Sequence, residues 1–549
     1  MKLFRWLYPS LVGFLLGLLQ TGLFFQLTFT LSSSFRTFLM VTVCWLSGSV
    51  IGIRLARLVR LPLNGFVVLA LLAYFGCVIL LGLAPFNTQL WPVYAALIGL
   101  TGLYPGVFFV RLGDYYAARA LFFKENNGFI MGLISGTLFF LVAGRAALWV
   151  LPILAAAAVI ICTPYNGLFL TFASVFPTGA TEETLLQIYR PRPGLPFTTL
   201  TRATGQKSIL WTTFTSEQID LNVRHPQGEA YWKAILHRFR EHGIKTIRLD
   251  AVGYAIKKPG TSCFMIPETF TFIEELAQYA QSLGLEVLVE IHSHYQQQLE
   301  IARQVDRVYD FALPPLILHA LFNKTARYLK TWLAISPRNA VTVLDTHDGI
   351  GVIDIGAAVA ANGLVSPGLV PAHELDALVE TIHEKSGGQS RRATGQAASN
   401  LDLYQVNCTY YDALGRNDRD YLIARAIQFF APGIPQVYYV GLLAGTNDME
   451  LLQQTSVGRD INRHYYTWDE TQTALAKPIV QDLLKLIRFR NEHPAFQGTF
   501  SLINCADSLL IINWHQAETW ARLKVDFSAA TMEICYLEDG VEKHLDFTT

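Results

Sequence analysis

The hydrophobic residues of this chain follow two different patterns, which meet near residue 163. Before that point, apolar runs recur at about 10 to 31, 38 to 53, 64 to 84, 91 to 110, 128 to 144 and 147 to 162. Each run approaches the roughly 20 residues that a membrane-spanning helix needs. A cleaved signal peptide would not be followed by such a series. The pattern therefore predicts an all-α, multi-pass transmembrane bundle of about six helices over residues 1–163.

The basic residues of this first part predict its orientation. It carries ten basic and two acidic residues, and most of the basic ones fall in segments that six crossings would place on one side. That side carries Lys2, Arg5, Arg54, Arg57, Arg60, Arg111, Arg119 and Lys124, against Arg36 and Arg145 on the other. Because cytoplasmic segments are enriched in Lys and Arg, both ends of the chain are expected in the cytoplasm.

Glycines within these runs are spaced by four residues. The sets are Gly13 and Gly17, Gly48 and Gly52, Gly102 and Gly106, and Gly128, Gly132 and Gly136. Small residues at this spacing let helices approach closely in lipid, so they predict packing contacts. No convincing charged cluster within a run indicates transport.

From Tyr165 onward the pattern becomes that of a soluble α/β protein. A helix is predicted at about 228 to 242, with Trp232, Ile235, Leu236 and Phe239 on one face. Gly243 stands where a C-terminal cap belongs, and the strand Ile244 to Leu249 follows and ends at Asp250. A second helix from Pro267 to about Gly284 leads into the strand that reaches Glu290, which completes one βαβ unit.

Three more strands are predicted at Arg307 to Phe311, Ala340 to Leu344 and Gln436 to Val440. With the two above, they make five strands of a barrel type. After about residue 497, short alternating runs at Ser508 to Trp514, Trp520 to Phe527 and Met532 to Leu537 predict a small antiparallel β domain.

The predicted fold class is α/β: a partial (β/α)8 barrel with inserted loop-rich domains and a C-terminal antiparallel β domain, preceded by the all-α bundle. The expected domains are the bundle at 1–163, an inserted B-type domain at 164–227, a barrel core at 228–349, a second insertion covering the active site at 350–407, the last barrel strand and helices at 408–496, and the β domain at 497–549.

Composition narrows the classes of partner. The chain has 43 basic and 43 acidic residues, a mean hydropathy of +0.31 and seven scattered cysteines. Because the first part holds ten of the basic and two of the acidic residues, the part after residue 163 has 33 basic and 41 acidic residues. This acidic part has no basic cluster beside aromatic residues, so nucleic acid is not an expected partner. The cysteine spacing predicts neither a disulfide framework nor a metal site, which fits a reducing compartment.

Three carboxylates stand at or just past the ends of three hydrophobic strands: Asp250, Glu290 and Asp348. An acid at the end of an apolar strand is costly unless it faces a cleft, and strand ends form the active-site rim of a βα barrel. Taken singly, Asp250 or Glu290 could cap a helix and Asp348 could close a turn. The repeated placement favours an enzyme acting on sugar bonds.

Several longer runs then resemble the sucrose phosphorylase family of the α-amylase superfamily. They are IRLDAVGY (247–254), TSCFM (261–265), VEIHS (289–293), RVYDFALP (307–314), LDTHDGI (344–350), ASNLDLYQV (398–406) and GRDINRHYY (458–466). The resemblance extends from about residue 165 to the C-terminus. It implies transfer of glucose from sucrose to phosphate with retention, giving α-D-glucose 1-phosphate and fructose, with no cofactor and no metal.

The resemblance also implies roles for individual residues. Asp250 would be the nucleophile, kept ionised by Arg248 on the same strand. Glu290 would be the acid/base, which requires a raised pKa. Asp348 would stabilise the oxocarbenium-like transition state, with His347 beside it holding glucosyl hydroxyls.

Further substrate-binding positions carry over with the resemblance. Phe214 and Gln218 resemble acceptor-site residues, and Arg459 resembles a sugar-binding arginine. A mobile rim that alternately holds fructose and phosphate would contain Arg192, His292, Leu401, Asp402, Tyr404 and Gln405, with Arg192 as the expected phosphate ligand.

The chain departs from the family in one respect. The first hundred or so residues of a sucrose phosphorylase, which hold barrel strands one to three, have no counterpart, and the predicted membrane segment stands in their place. Five strands cannot close an eight-stranded barrel. Three outcomes stay open: an impaired enzyme, a chain completed by a partner chain or a homodimer, or a membrane protein in contact with lipid that carries a catalytically silent remnant. A sucrose hydrolase or transglucosidase is the alternative within the same chemistry.

Overall fold

The computed structural model describes residues 2–548 apart from 60, 62, 113–117, 163–167, 191–193, 202–206, 360–364 and 395–404. It divides into two compact units. Unit 1 comprises Met1–Asn166 and Leu200–Ser208, and unit 2 comprises Gly167–Thr199 and Ile209–Thr549.

Unit 1 is built from apolar helices. They are α1 (Lys2–Thr30), α2 (Phe35–Leu58), α3 (Leu63–Leu83), α4 (Trp91–Thr101), α5 (Leu103–Leu112), α6 (Ala118–Ala143) and α7 (Arg145–Cys162), with a 3-10 turn at Thr88–Leu90. Among the described residues, five segments are, by length and composition, long and apolar enough to cross a membrane: Leu7–Thr30, Phe35–Ala56, Leu63–Leu83, Thr88–Leu112 and Ala118–Ala143. The sixth predicted crossing falls on α7, whose apolar part, Arg145–Ile160, is shorter than these.

The glycines predicted to mediate packing lie where helix backbones touch. A Cβ at Gly13 would lie 1.9 Å from the carbonyl oxygen of Glu125, and one at Gly132 would lie 2.2 Å from that of Phe14. No side chain fits at such distances, so α1 and α6 can pack this closely only through glycine. Gly48, Gly52, Gly102 and Gly106 serve the contact of α2 with α4 and α5 in the same way.

Unit 2 contains the remaining helices. They are α8 (Phe172–Val175), α9 (Glu182–Leu186), α10 (Pro226–Glu241), α11 (Pro267–Ser282), α12 (Tyr295–Ala302), α13 (Leu313–Asn323), α14 (Arg327–Ile335), α15 (Ala372–Lys385), α16 (Gln389–Thr394), α17 (Tyr410–Ala413), α18 (Asp418–Phe430), α19 (Tyr439–Leu442), α20 (Met449–Thr455), α21 (Trp468–Leu475) and α22 (Pro478–Glu492). Further 3-10 turns lie at Val252–Tyr254, Gly458–Asn462 and Pro494–Gln497.

The strands are β1 (Phe197–Thr201), β2 (Lys207–Trp211), β3 (Thr246–Leu249), β4 (Glu286–Val289), β5 (Arg307–Asp310), β6 (Ala340–Thr342), β7 (Ile350–Gly351), β8 (Ala358–Val359), β9 (Val365–Ser366), β10 (Gln405–Val406), β11 (Ile434–Pro435), β12 (Thr499–Leu502), β13 (Leu509–Gln516), β14 (Thr519–Asp526), β15 (Thr531–Glu538) and β16 (Val541–His544). Two sheets of five strands each organise the unit.

The first of these sheets is parallel, in the order β11-β6-β5-β4-β3. Successive side chains of a strand point to opposite faces, and the sheet shows this clearly. Ile247, Val287 and Val308 face the helices within one hydrophobic cluster. Leu288, Tyr309, Phe311, Val341 and Val343 form a small cluster of their own. In a closed barrel this second group would face the interior.

The second sheet is an antiparallel meander, β12-β13-β14-β15-β16, which confirms the predicted C-terminal β domain. Its buried residues Leu510, Ile512 and Leu523 join the same hydrophobic cluster as α13, α18 and α22. Sheet and helices thus share one core.

One predicted strand is wrong. Residues 436–440 do not form a strand: β11 is only Ile434–Pro435, paired with Val341 and Thr342, and α19 begins at Tyr439. The apolar run that suggested a strand bends into a helical turn. The other four predicted strands of the parallel sheet and the helices at 228–242 and 267–284 are confirmed, with ends shifted by a few residues.

Candidate active site

Asp250 follows directly after β3. The next residue, Ala251, has φ of +49°, a left-handed conformation that is uncommon for a residue with a side chain, and the 3-10 turn Val252–Tyr254 begins after it. This sharp turn directs the chain away from the strand end. The Asp250 side chain is 72% exposed, and its Oδ2 lies 3.7 Å from Nη2 of Arg248.

Glu290 follows β4, the neighbouring strand, and is buried. Its Oε2 lies 2.6 Å from Nη1 of Arg248, so one guanidinium group contacts both Glu290 and Asp250. Burial raises the pKa of Glu290 to about 7, and the nearby charges of Asp250 and Asp348 add to this against the opposing effect of Arg248. A carboxyl with such a pKa can both give and take a proton near neutral pH.

Asp348 lies in the loop after β6 and is held by arginines. Its Oδ1 lies 2.6 Å from Nη1 of Arg459 and 3.5 Å from Nη2 of Arg463. The amide of Asn462 donates hydrogen bonds to the backbone oxygens of Asp348 (2.8 Å) and Thr346 (3.1 Å). The turn at 458–462 therefore fixes both the side chain and the backbone of this loop.

His347 lies close to both Glu290 and Asp348. One oxygen or nitrogen atom each of Glu290, His347 and Asp348 lies within 4.8 Å of the others. Burial lowers the pKa of His347, and the three nearby arginines act in the same direction. The imidazole is therefore neutral near pH 7 and can offer a hydrogen bond to a hydroxyl.

The same three groups have the spacing of a metal site, but guanidinium groups already contact both carboxylates. A second set with this spacing, Glu533, Cys535 and His544, lies on the C-terminal sheet, away from these residues in sequence. The six cysteines whose side chains the structure describes are free.

His292, another predicted binding residue, is fixed by a residue that the sequence did not single out. Its Nδ1 lies 3.0 Å from Oδ2 of the fully buried Asp354, which also accepts hydrogen bonds from the Ser293 backbone (3.0 Å) and Gln298 Nε2 (2.7 Å). The pKa of His292 is raised: burial would lower it, but Asp354 outweighs burial. An acid within the apolar run 352–355 was the only available signal for Asp354.

The remaining predicted residues are distributed around this centre. Phe214 packs edge-on against Tyr254, at 5.3 Å between ring centroids, and Tyr254 is the last residue of the 3-10 turn that follows Asp250 and Ala251. Gln405 is buried, and its Oε1 accepts a hydrogen bond from the Gly349 backbone at 3.3 Å, next to Asp348. Gln218 is exposed, and Thr215 is its hydrogen-bond partner at 3.2 Å. Arg192, Leu401, Asp402 and Tyr404 lie outside the described residues.

Asp250 and Glu290 at the carboxyl ends of two neighbouring parallel strands, with Asp348 in the loop after β6 of the same sheet, define an α/β enzyme site of the βα-barrel kind. The chain is 60% identical over 376 residues to a sucrose phosphorylase of Agrobacterium vitis, covering 68% of this chain and 76% of that protein. It is 54% identical over 359 residues to a sucrose phosphorylase of Bifidobacterium adolescentis, covering 65% and 71%.

Among solved structures, a sucrose 6F-phosphate phosphorylase from Thermoanaerobacter thermosaccharolyticum matches with a TM-score of 0.63 and 37% identity, covering 69% of this chain and 76% of that one. No protein-family model matches. The chain belongs to the sucrose phosphorylase family.

Proposed function

We propose that this chain transfers the glucosyl unit of sucrose to phosphate with retention of configuration, giving α-D-glucose 1-phosphate and fructose. The observation that carries the proposal is the pair Asp250 and Glu290 at the ends of neighbouring strands, both in contact with Arg248, with Asp348 in the loop after β6 of the same sheet, in a chain of this family.

In the first step, a carboxylate oxygen of Asp250 attacks the anomeric carbon while the bond from that carbon to the fructose oxygen breaks. Glu290 gives its proton to this oxygen, so fructose leaves as a neutral alcohol. In the second step, a phosphate oxygen attacks the same carbon, gives its proton to Glu290, and releases Asp250. The pKa of Glu290, raised to about 7, suits this alternation.

In this reaction the glucosyl ring lies between the carboxyls of Asp250 and Glu290, and Asp348 and His347 face it. Positive charge develops on the glucosyl carbon in the transition state, and the Asp348 carboxylate stabilises it. Arg459 and Arg463 keep this carboxylate in place, since both approach the same oxygen. His292, held by Asp354, is available to the leaving fructose or the entering phosphate.

We further propose that the activity of this chain on its own is reduced. The side chain of the proposed nucleophile is 72% exposed, although a nucleophile needs fixed geometry and little competing water. Water entering on this side would also hydrolyse the glucosyl-enzyme intermediate. A sucrose hydrolase or transglucosidase is therefore the second candidate function, and the exposure of Asp250 favours it. If no activity is left, the α/β unit is a catalytically silent remnant.

The experiment is to measure fructose release from sucrose by membranes containing the full chain, with and without phosphate. We expect phosphate-dependent release that Asp250→Asn abolishes and that the matched control Asp507→Asn, at an exposed acid of the C-terminal domain, leaves unchanged. Release that does not need phosphate would instead indicate the hydrolase. A wild-type rate equal to that of Asp250→Asn would contradict the catalytic assignment.

We propose that unit 1 holds the enzyme at a membrane in contact with lipid. Five of the helical segments that the structure describes have the necessary length and apolar character. The 18 residues of α7 also fall within the range of about 17–25 that crossing helices use, which would give six crossings. Both chain ends, and with them the catalytic unit, then lie on the cytoplasmic side.

A further inference from the structure

The strand β3 forms one open edge of the parallel sheet. On its other edge β3 pairs with β4. There the carbonyl oxygens of Lys245 and Leu249 accept hydrogen bonds from the backbone N–H groups of Glu286 (2.8 Å) and Glu290 (3.1 Å). Because hydrogen bonding alternates along a parallel strand, the backbone N–H and C=O groups of Thr246 and Arg248 point away from β4, toward the open edge. Among the described residues, no strand pairs there.

The helix before this strand also has an uncovered apolar surface. On α10, Trp232 packs edge-on against Phe272 and Tyr279 of α11, at 6.2 and 5.6 Å between ring centroids. The adjoining stripe, residues 231, 235 and 239, follows the i, i+4, i+8 spacing of one helix face. Within this stripe, Tyr231 is 58% exposed and Phe239 is 38% exposed. α11 covers only part of the apolar face of α10.

The edge of β3 and the stripe of α10 belong to consecutive elements of one βα repeat. In a βα barrel, the neighbouring repeat would add a strand at the open edge of β3 and a helix beside α10. An open edge together with an uncovered helix face is therefore what a missing βα neighbour leaves behind. We call the two together the open side of unit 2.

The size of the missing partner can be bounded. The parallel sheet has five strands in the part of the chain that the structure describes, and a closed barrel of this kind needs eight, so three βα units are lacking there. The 376 matched residues are 76% of the Agrobacterium vitis relative, which leaves about 120 of its residues without a counterpart. A barrel of roughly 250 residues has about 30 per unit, so three units with longer loops fit into that length.

We propose that the open side of unit 2 is a docking surface for a polypeptide outside these 549 residues that carries three parallel βα units. A second copy of this chain would not fit in its place, because two copies of the five-stranded parallel sheet give ten strands, whereas a barrel of this kind closes with eight. The first docked strand would end beside Asp250 and Arg248 and would shield them from water. This consequence for catalysis rests on the proposed function, whereas the docking itself does not.

The experiment is to co-express the full chain in membranes with the tagged segment of the Agrobacterium vitis relative that has no counterpart here. We expect a one-to-one complex after solubilisation and slower amide exchange of β3. Phosphate-dependent fructose release should rise by about a hundredfold, the effect typical of correcting an ångström-scale misplacement.

Two variants locate the surface. Tyr231→Asp and Phe239→Asp are surface substitutions, so the chain should still fold, and each should weaken the complex at least about tenfold, since an unpaired charge would be buried. Val541→Asp, at an apolar residue of β16 that is as exposed as Tyr231, is the matched control and should leave binding unchanged. Binding that ignores both α10 variants would overturn the proposed surface.

The remaining outcomes are also decisive. The segment should bind the rest of its own protein, which shows that it is competent to fold; if it does so and ignores this chain, the docking proposal is wrong. Full activity of the chain alone would also overturn it. The Asp250→Asn chain should form the complex without activity. A complex that stays inactive with Asp250 intact would support docking and contradict the proposed function.

Discussion

At the scale of single residues, Arg248 couples the two carboxyls that the proposed reaction needs. Its guanidinium group contacts Glu290 at 2.6 Å and Asp250 at 3.7 Å. The two acids nevertheless meet different surroundings: Glu290 is 8% exposed, whereas the Asp250 side chain is open to water. In the proposed reaction this burial suits Glu290 to giving a proton, because burial disfavours the charged form of a carboxyl.

The pH dependence of the first step follows from Glu290. Its pKa is raised by burial to about 7, and only the protonated form can protonate the fructose oxygen. We expect fructose release in a single turnover to be constant well below pH 7 and to fall about tenfold per pH unit above it. Rapid-quench measurement of the first turnover from pH 5 to 9 checks this.

The control for this prediction is Glu286→Gln at the other end of β4, where the side chain is exposed. It should leave the profile unchanged, whereas Glu290→Gln should lower the rate and remove the inflection. An inflection that persists in Glu290→Gln would assign the titration to another group.

At the scale of elements, a buried ion pair supports the loop that carries His347 and Asp348. Arg425 of α18 is fully buried, and its Nη2 lies 2.8 Å from Oδ2 of Asp345 and 2.6 Å from the hydroxyl of Tyr421. A Cβ at Gly441 would lie 1.9 Å from the same Asp345 oxygen, so glycine is required there. The ion pair between Arg425 and Asp345 thus fixes the loop after β6 to α18.

Removing the cation of this pair should be costly. Arg425→Met leaves the Asp345 charge buried and unpaired, and we expect a loss of about 3–5 kcal/mol in the free energy of unfolding. Chemical denaturation of the purified chain checks this.

The double variant Arg425→Met with Asp345→Leu, which removes both charges, should recover part of the stability. Arg522→Met, at an exposed arginine of β14, is the matched control and should change little. A single Arg425 variant as stable as the wild type would show that the pair contributes nothing.

At the scale of the whole molecule, an apolar helical unit and an α/β unit share one chain. Most of the cations of unit 1 fall in segments that six crossings place on one side. Because Lys and Arg are enriched in cytoplasmic segments, the cytoplasmic orientation that we propose requires α7 to make the sixth crossing.

A reporter fused after Thr549 tests this orientation. We expect a fluorescent protein at that position to fluoresce and alkaline phosphatase to be inactive, because both report a cytoplasmic location. The same reporters inserted between α1 and α2, in residues 31–34, should give the opposite pattern. A C-terminal alkaline phosphatase that is active would mean an odd number of crossings.

Much of the fold could be predicted because the signals are local. Helix faces, the caps at Gly243 and Gly284, and alternation in the C-terminal strands depend on neighbours within a few residues. The strand at 436–440 failed because a short apolar run does not distinguish a strand from a helical turn. Asp354, Asn462 and Arg463 were missed because their contacts come from segments far apart in sequence.

The order of the amino acids by itself determined which strands end in acids, that the chain divides near residue 163, and that its second part resembles one enzyme family, since these depend on composition and short-range patterns. Only the tertiary structure decided that Glu290 is buried while Asp250 is exposed. It also decided that, among the described residues, β3 pairs with a strand on one side only and α11 covers only part of the apolar face of α10. Burial depends on which elements pack side by side, and packing is a property of the folded chain.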